Sequence, residues 1–555
     1  MDNPDILIIG AGAAGAVLAA RLSENPAIRV ALVEAGRDTP PGAVPADIAD
    51  SFPSSYANLD YFWPDLKATV RPGTAPRPYP QGRVMGGGSS VMGMWALRGM
   101  AADYDAWSAA GARGWAWSDV LPYFKKLERD VDYPTEDHGK DGPITVARVQ
   151  PENWPGFSKT LAEAAGRKQF RILPDLNATE EDGVFAIPLT IEGQQRVSSP
   201  SAYLTESVRR RPNLKIVTDA EVRNIAFQGR KAIGAHLRAA DGNVTLMRAN
   251  EIVVSAGAIH SPALLLRSGI GSGRALSAAG INVVSDLPHV GANLQNHFFV
   301  HFGTIVKPEA RQSPAMRRYG MVGIRLSSGL PDTPPADLFI SFIARTGKAA
   351  TGNRFGMLGP SLYAAFSRGS VTLDPDDVYG QPVVDFNALS DPRDVDRILY
   401  AARVTRDLLE DEATRAVTHE AFIIPQNLPI RLFNKPGMTS QIVTAAAAAI
   451  VGMNATARRA ALRSMLGPGR FLSEIKTDER FSELVLSSVL PMFHVAGTCA
   501  MGKVLDPEAR VLGVEGLRVV DASIMPVLPR ANTNIPTVMV AEKCAAEIAA
   551  GLRRK

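Results

Sequence analysis

The first thirty-four residues constrain the fold more than any other stretch. An apolar run, Asp5-Ile6-Leu7-Ile8-Ile9, meets Gly10-Ala11-Gly12-Ala13-Ala14-Gly15. A helix-forming stretch from Ala16 to Leu22 follows, then a second apolar run, Val30-Ala31-Leu32-Val33, closing on Glu34. Strand, glycine turn, helix, strand and acid, in that order, is the layout of a dinucleotide-binding unit. Gly10 lets the chain turn sharply off the strand. Gly12 leaves the backbone open to a pyrophosphate, and Gly15 lets the helix pack close to the strand. The free N–H groups and positive end of that helix then face the phosphates. Glu34 can accept hydrogen bonds from ribose hydroxyls and would repel a 2′-phosphate, so the expected ligand is FAD or NAD rather than NADP. The glycine pattern alone is a weak signal; the flanking strands, helix and acid make it specific. It does not separate FAD from NAD.

A chain of 555 residues exceeds one ordinary core, so two or more lobes are expected. The net charge is only +4, and Lys and Arg are scattered. Short clusters such as Arg209-Arg210-Arg211 and Arg553-Arg554-Lys555 read as solvated faces, so no nucleic-acid partner is expected. Two cysteines, Cys499 and Cys544, exclude a disulfide framework and suit a reducing compartment. The first strand begins within a few residues of Met1, and no apolar run reaches the ~18–20 residues of a membrane span. The expectation is a cytoplasmic protein with neither signal peptide nor membrane span.

A second glycine cluster runs from Gly82 through Arg83, Gly86-Gly87-Gly88 and Ser89-Ser90 to Met94. It offers backbone donors with little side-chain bulk, and its apolar flanks indicate a packed loop. The aromatic stretch Asp60-Tyr61-Phe62-Trp63-Pro64 suits a core anchor or a ligand wall, core being the commoner fate. Ser118 reads as the N-cap of a helix from Asp119 to Glu128. Ser261-Pro262 reads as the start of a helix stopped by Gly269. Strands are expected at Leu214–Val217, Lys231–Leu237, Glu251–Gly257, Ala336–Phe342 and Gly369–Leu373. Helices are expected at Asp391–Leu409 and in the alanine-rich stretch Thr444–Val451. Leu517–Ser523 reads as a strand and turn, and Pro536-Thr537 as the opening of a last helix, Val538–Leu552.

His494 sits between apolar neighbours and a glycine turn, Gly497. Such a histidine is more often a packed core residue than a catalyst, yet imidazole can take a hydroxyl proton near neutral pH. Asn532 and Asn534 precede the last helix and suit either capping or holding a substrate hydroxyl. His297 and His301 are four residues apart, but no third ligand stands nearby, so no metal site is expected. Cys499 reads as packed rather than nucleophilic. There is no G-x-S-x-G elbow, so hydrolysis has no support.

Taken together, these segments resemble the glucose–methanol–choline (GMC) oxidoreductases, FAD enzymes acting on alcohols. The resemblance spans nearly the whole chain. It is carried by the Gly10/Gly12/Gly15 turn with Glu34, by Gly82 to Ser90, by Gly257 to Gly271, and by His494-Val495-Ala496-Gly497-Thr498. Asp521 to Pro526 and Asn532 to Thr537 complete it. The Tyr61–Pro64 and Asp103–Trp107 segments look closest to bacterial oxidases of hydroxymethylfurfural and aryl alcohols. The implied fold is α/β, a Rossmann-type FAD-binding domain interleaved with an α+β substrate domain on an antiparallel sheet. Residues 1–150, 196–300 and 486–555 would form the first, and 151–195 and 301–485 the second.

The resemblance further implies that Gly10, Gly12, Ala13, Ala14, Gly15, Glu34 and Ala35 hold the ADP part of FAD. Val222 would meet the adenine. Arg83, Gly87, Ser89, Ser90, Met92, Gly93 and Met94 would lie along the pyrophosphate and flavin. Ala256, Gly257, Asp521, Ala522, Asn532, Pro536 and Thr537 would complete the cofactor site. His494 would be the base, Asn532 its partner, and Trp63 and Phe493 substrate-pocket walls. Two positions depart from the family pattern. Met92 stands where an Asn is usual, which bears on reactivity toward oxygen. Val91 stands where covalent-flavin members carry a His, so FAD is expected to be non-covalent. The implied activity is oxidation of a primary, aromatic or furanic alcohol to the aldehyde, with O2 as acceptor and peroxide as product. A dehydrogenase using another acceptor, a hydroxynitrile lyase on the same fold, and a binding-only protein are the alternatives. The expected partners are a small alcohol and an electron acceptor, and oligomeric state is left open.

Overall fold

The computed structural model describes residues 3–428, 434 and 438–553; Arg554 and Lys555 of the terminal basic cluster lie outside them. In chain order the frame is β1 (Ile6–Ile9), α1 (Ala13–Leu22), β2 (Val30–Val33), β3 (Gly183–Ala186), β4 (Leu214–Val217), β5 (Glu251–Val254) and α2 (Gly257–Arg267). It continues with β6 (Phe302–Val306), β7 (Val322–Leu326), β8 (Leu338–Ile343), β9 (Phe355–Leu362), α3 (Pro392–Glu410), β10 (Thr418–Ile423), β11 (Leu517–Val519) and α4 (Asn534–Arg553).

Five strands form a parallel sheet in the order β4-β2-β1-β5-β11. The inner strands β1 and β2 are unbroken apolar runs because helices and loops cover both faces, leaving no polar side to alternate with. α1 and α4 pack on it within one apolar cluster. Arg21 of α1 is tied to buried Glu542 of α4 at 2.7 Å, so the C-terminal helix is fastened to the N-terminal one. The last segment of the chain thus returns to the first unit, adding β11 at the sheet edge.

A second, antiparallel sheet runs β10-β6-β9-β8-β7-β3. Its side chains alternate faces, as any strand's must. Ser341 and Ile343 of β8 and Met357 and Ser361 of β9 line a large cavity. Ile340, Phe342 and Leu358 lie in a second apolar cluster together with α3, which packs on β8 and β9. Two short strands pair off the main path: Phe298–Phe299 pairs with β9 and with Leu490–Pro491. Both lie in segments expected to belong to the cofactor unit, and their ladder joins those segments to the antiparallel sheet.

Three cap expectations are corrected. Ser118 is not an N-cap: the helix spans Trp117–Leu127, and the Asp119 carboxylate accepts the Ala116 N–H at 3.0 Å from inside the first turn. Ser261-Pro262 does not start α2, which begins at Gly257. Pro262 cannot donate to the Ala258 carbonyl, and the Thr498 hydroxyl takes that carbonyl instead, at 2.7 Å. α4 begins at Asn534, so Pro536 lies within its first turn, where a missing N–H costs nothing. The alanine-rich stretch is helical over Met438–Gly452, and α3 is capped by Asp391, which accepts the Arg393 N–H at 3.0 Å.

Candidate active site

A cavity of about 840 Å³ runs between the two sheets, within the size range of ligand sites. At one end it meets the β1–α1 turn. Gly10 has φ +95°, and a Cβ there would stand 2.5 Å from the Ser255 carbonyl oxygen. A Cβ on Gly15 would collide with the Gly10 carbonyl, so this glycine is demanded by the contact of α1 with its own turn. Gly12 differs: its Cβ would meet nothing nearer than Ser255 O at 4.0 Å, so the fold leaves space above it. No side chain caps α1, and Ala13 and Ala14 bring its first turn, where helix N–H groups lack internal partners, to the cavity wall.

Glu34 follows β2 on the same wall. Its two carboxylate oxygens accept the Ala11 and Gly36 N–H groups, each at 2.8 Å, which aims the head and leaves each oxygen a further lone pair. Burial raises its pKa, opposed by those N–H groups and by Arg83. Asp521, after β11, is also raised by burial; it accepts from Gly257 N–H at 2.9 Å and from the Ser261 hydroxyl at 2.5 Å. This carboxylate thereby fixes the N-terminus of α2 against the cavity.

The cavity wall gathers Ala35, Val222, Ala256, Gly257, Ala522 and Thr537, then Gly87, Ser89, Met92, Gly93 and Met94, then Trp63, Phe493, His494 and Asn532. Four expected residues are off it. Gly15 acts inside the α1 contact described above. Ser90 is fully buried and its hydroxyl donates to Met85 O at 2.7 Å, because the tight Gly86 turn folds it inward. The Arg83 guanidinium sits 5.1 Å over the Trp63 ring, which also stacks on His260 at 4.4 Å. Pro536 stays in the α4 turn.

At the far end stand the groups that can move a proton. His494 lines the cavity, and its Nδ1 lies 3.0 Å from Nδ1 of His297, which is fully buried. The Phe298–Phe299/Leu490–Pro491 ladder brings these two histidines together from distant parts of the chain. Asn296 clamps them further: its Oδ1 accepts the His297 N–H at 2.9 Å and the His494 N–H at 3.1 Å. Burial pushes the His494 imidazole down to about 3, so it is neutral at physiological pH. Asn532 is oriented by Tyr363, whose hydroxyl donates to Oδ1 at 3.0 Å. The Tyr363 ring in turn stacks on His297 at 4.4 Å and 9°.

Around them the wall is aromatic. Phe493 packs against Tyr56 at 5.4 Å and Tyr79 at 5.7 Å, and Tyr79 is anchored by donating to Met492 O at 2.7 Å. His301 lines the same end with its Nδ1 buried and unpartnered. Among the described residues the carboxylates of this cavity are Glu34, Glu221 and Asp521, all at the parallel-sheet end.

The sequence offers His297 only as a weak metal candidate and assigns no role to Asn296, Tyr363 or Arg196. Arg196 is buried, and its guanidinium donates to Met92 O at 2.6 Å and Ser89 O at 3.2 Å, pinning the second glycine loop. None of these carries a local motif; each acts on a partner far away in sequence. Among the described residues one cluster has metal-like spacing, Glu128, Asp130 and His138, away from the cavity. It is filled by other partners: Arg148 reaches Asp130 at 2.8 Å, Arg98 pairs with Glu128, and His138 Nε2 meets Asp175 at 2.6 Å. Burial lowers the His138 pKa, but Asp130, Asp175 and Glu128 outweigh it and raise the imidazole to about 10. The cluster is a buried ion-pair network.

Comparison with known proteins bears on the whole chain. The GMC oxidoreductase family models match residues 4–299 with the N-terminal part and 365–541 with the C-terminal part. The chain is 37% identical over 561 residues to a 5-(hydroxymethyl)furfural oxidase of Methylovorus sp. (strain MP688), covering 98% of each. It is 31% identical over 581 residues to an oxygen-dependent choline dehydrogenase of Brucella suis biovar 1 (strain 1330), covering 98% of this chain and 95% of that one. Among solved structures, pyridoxine 4-oxidase from Mesorbium loti superposes with a TM-score of 0.80 at 26% identity, over 98% of this chain and 99% of the other.

Proposed function

The chain belongs to the GMC oxidoreductase family of FAD-dependent enzymes, and from that premise we propose that it oxidises a neutral primary alcohol, aromatic or furanic, to the aldehyde. Residues 1–150, 196–300 and 486–555 make the cofactor unit in this reading, and 151–195 and 301–485 the substrate unit. The observation that carries it is the meeting of His494 and a tyrosine-oriented Asn532 on one cavity with the β1–α1 turn.

The residues present fit FAD. The space over Gly12, the uncapped first turn of α1 and the poised Glu34 suit a pyrophosphate and a ribose. Val222 and Ala35 would flank the adenosine end, and Met92, Gly93, Met94 and Ala522 the ring end. With Val91 where a covalent link through His would stand, the attachment in this reading is non-covalent. FAD supplies the acceptor for the hydride that leaves the alcohol carbon.

The protein's own groups do the rest. With Nδ1 turned to His297, the nitrogen His494 has left for the cavity is Nε2, which takes the hydroxyl proton. With Oδ1 occupied by Tyr363, Asn532 keeps its Nδ2 donors for the alcohol oxygen. Phe493, Tyr56 and Tyr79 offer a flat apolar wall to a ring. The lack of a carboxylate at this end, among the described residues, favours a neutral substrate over the quaternary ammonium named for the choline dehydrogenase relatives. O2 is the acceptor in this reading, giving peroxide.

The test is anaerobic mixing of the FAD-loaded protein with 5-(hydroxymethyl)furfural, an aryl alcohol and choline while the visible flavin absorbance is followed. Loss of absorbance with the first two and not with choline is expected. Loss with choline alone overturns the substrate class. Peroxide yield after admitting air separates O2 from another acceptor.

A further inference from the structure

His297 is fully buried and off the cavity wall. Its ring stacks on Tyr363, its backbone is held by Asn296, and its Nδ1 faces Nδ1 of His494 at 3.0 Å with the rings at 82°. Two neutral imidazoles at that distance share one proton, so one Nδ1 donates and the other accepts. The two arrangements are not equivalent for the cavity. If His494 accepts at Nδ1, its own proton sits on Nε2 and no lone pair faces the alcohol. If His494 donates, Nε2 is free. In that second arrangement His297 accepts at Nδ1 and carries its own proton on Nε2, a buried atom with no hydrogen-bond partner in the structure.

We propose that His297 is a positioning residue that holds His494 in the Nδ1–H tautomer by accepting its proton, leaving Nε2 as the base. This rests on the reading of His494 as the base. Through the Tyr363 stack the same ring supports the tyrosine that orients Asn532, so base and donor share one buried prop. The role is that of a carboxylate behind a catalytic imidazole, performed by a neutral group that adds no charge to the cavity.

The experiment uses FAD-loaded protein with 15N-labelled histidine. Long-range 1H–15N correlation reports which nitrogen of His494 is protonated, its signals assigned by their loss in His494→Gln. Protonated Nδ1 and bare Nε2 are expected in the wild type and in His297→Asn, whose amide oxygen can replace the acceptor. In His297→Leu the proton should move to Nε2. Anaerobic flavin reduction should then fall at least about tenfold, part of the roughly 10²–10⁴ that a general base supplies. His297→Asn should stay within about threefold of wild type, a rescue that a merely structural role does not give. A wild-type His494 protonated on Nε2 overturns the proposal, as does His297→Asn reducing as slowly as His297→Leu. If His297→Leu does not fold, the wild-type spectrum still decides. Failure of the base reading shows separately, as unchanged reduction in His494→Gln.

Discussion

The glycines of the β1–α1 turn provide a test that separates the needs of the fold from the needs of the ligand. Replace Gly15 with Ala and the new methyl meets the Gly10 carbonyl, which belongs to the turn itself and cannot retreat without moving β1 from α1. Overpacking of this kind costs about 3 kcal/mol or more. At roughly 2–4 °C per kcal/mol for a unit of this size, the apoprotein's melting point should fall by about 6–12 °C. Replace Gly12 with Ala and the methyl finds only Ser255 O at 4.0 Å. Gly12 has φ −68° and extended ψ, which Ala adopts freely. The loss of a glycine N-cap and the gain from a stiffer unfolded chain roughly cancel, so apoprotein stability should change by less than about 1 kcal/mol. FAD must approach through that space, and a misfit of about 1–3 kcal/mol corresponds to roughly 5- to 150-fold weaker binding. Thermal melting of the apoproteins and FAD titration by flavin fluorescence measure the two quantities. Gly12→Ala binding FAD as the wild type does would refute the assignment of this turn to the pyrophosphate. Gly12→Ala melting as low as Gly15→Ala would refute the separation itself.

Two further predictions concern pH. Burial holds His260 down to about 3, against 6.5 unfolded, so between those values the unfolded chain binds a proton that the folded one refuses. Stability should therefore fall as pH drops through that window, by up to roughly 1.4 kcal/mol per unit for this group. Denaturant midpoints of His260→Gln at pH 7 and pH 5 should differ less than those of the wild type; an equal difference contradicts a neutral His260. His138 is shifted the other way, up to about 10, so its contribution is full below pH 6.5 and is lost as pH rises from there to 10. His138→Ala should cost about 3–5 kcal/mol at pH 6 by stranding buried carboxylates, with the gap narrowing by pH 9. A gap that is constant with pH would mean a neutral His138.

The β1–α1–β2 segment was legible because its information is local. Two apolar runs, a glycine turn and an acid lie within thirty-four residues, and each piece implies the next. The pairings beyond that unit were not legible in either sheet: β4 joins β2, β5 joins β1, β3 pairs with β7, and β10 with β6, each across more than a hundred residues, and no local pattern names the partner. The same distinction runs through the site. His494 could be picked out by its chemistry and setting. His297 could not, because what makes it interesting is a contact across 197 residues, created by a two-residue strand pairing. Trp63 was singled out from an aromatic segment and Phe493 through the family resemblance, while Tyr56 and Tyr79 joined them only through tertiary packing. The cap errors at Ser118 and Ser261 share a cause. Each helix starts upstream of its serine, at Trp117 and at Gly257, so both serines lie inside a helix rather than at its cap.

The most direct measurement of the central claim is single-turnover flavin reduction by His494→Ala, anaerobically, with an alcohol the wild type accepts. The account predicts FAD bound as in the wild type and the visible absorbance lost roughly 10²- to 10⁴-fold more slowly. Loss at close to the wild-type rate would contradict it.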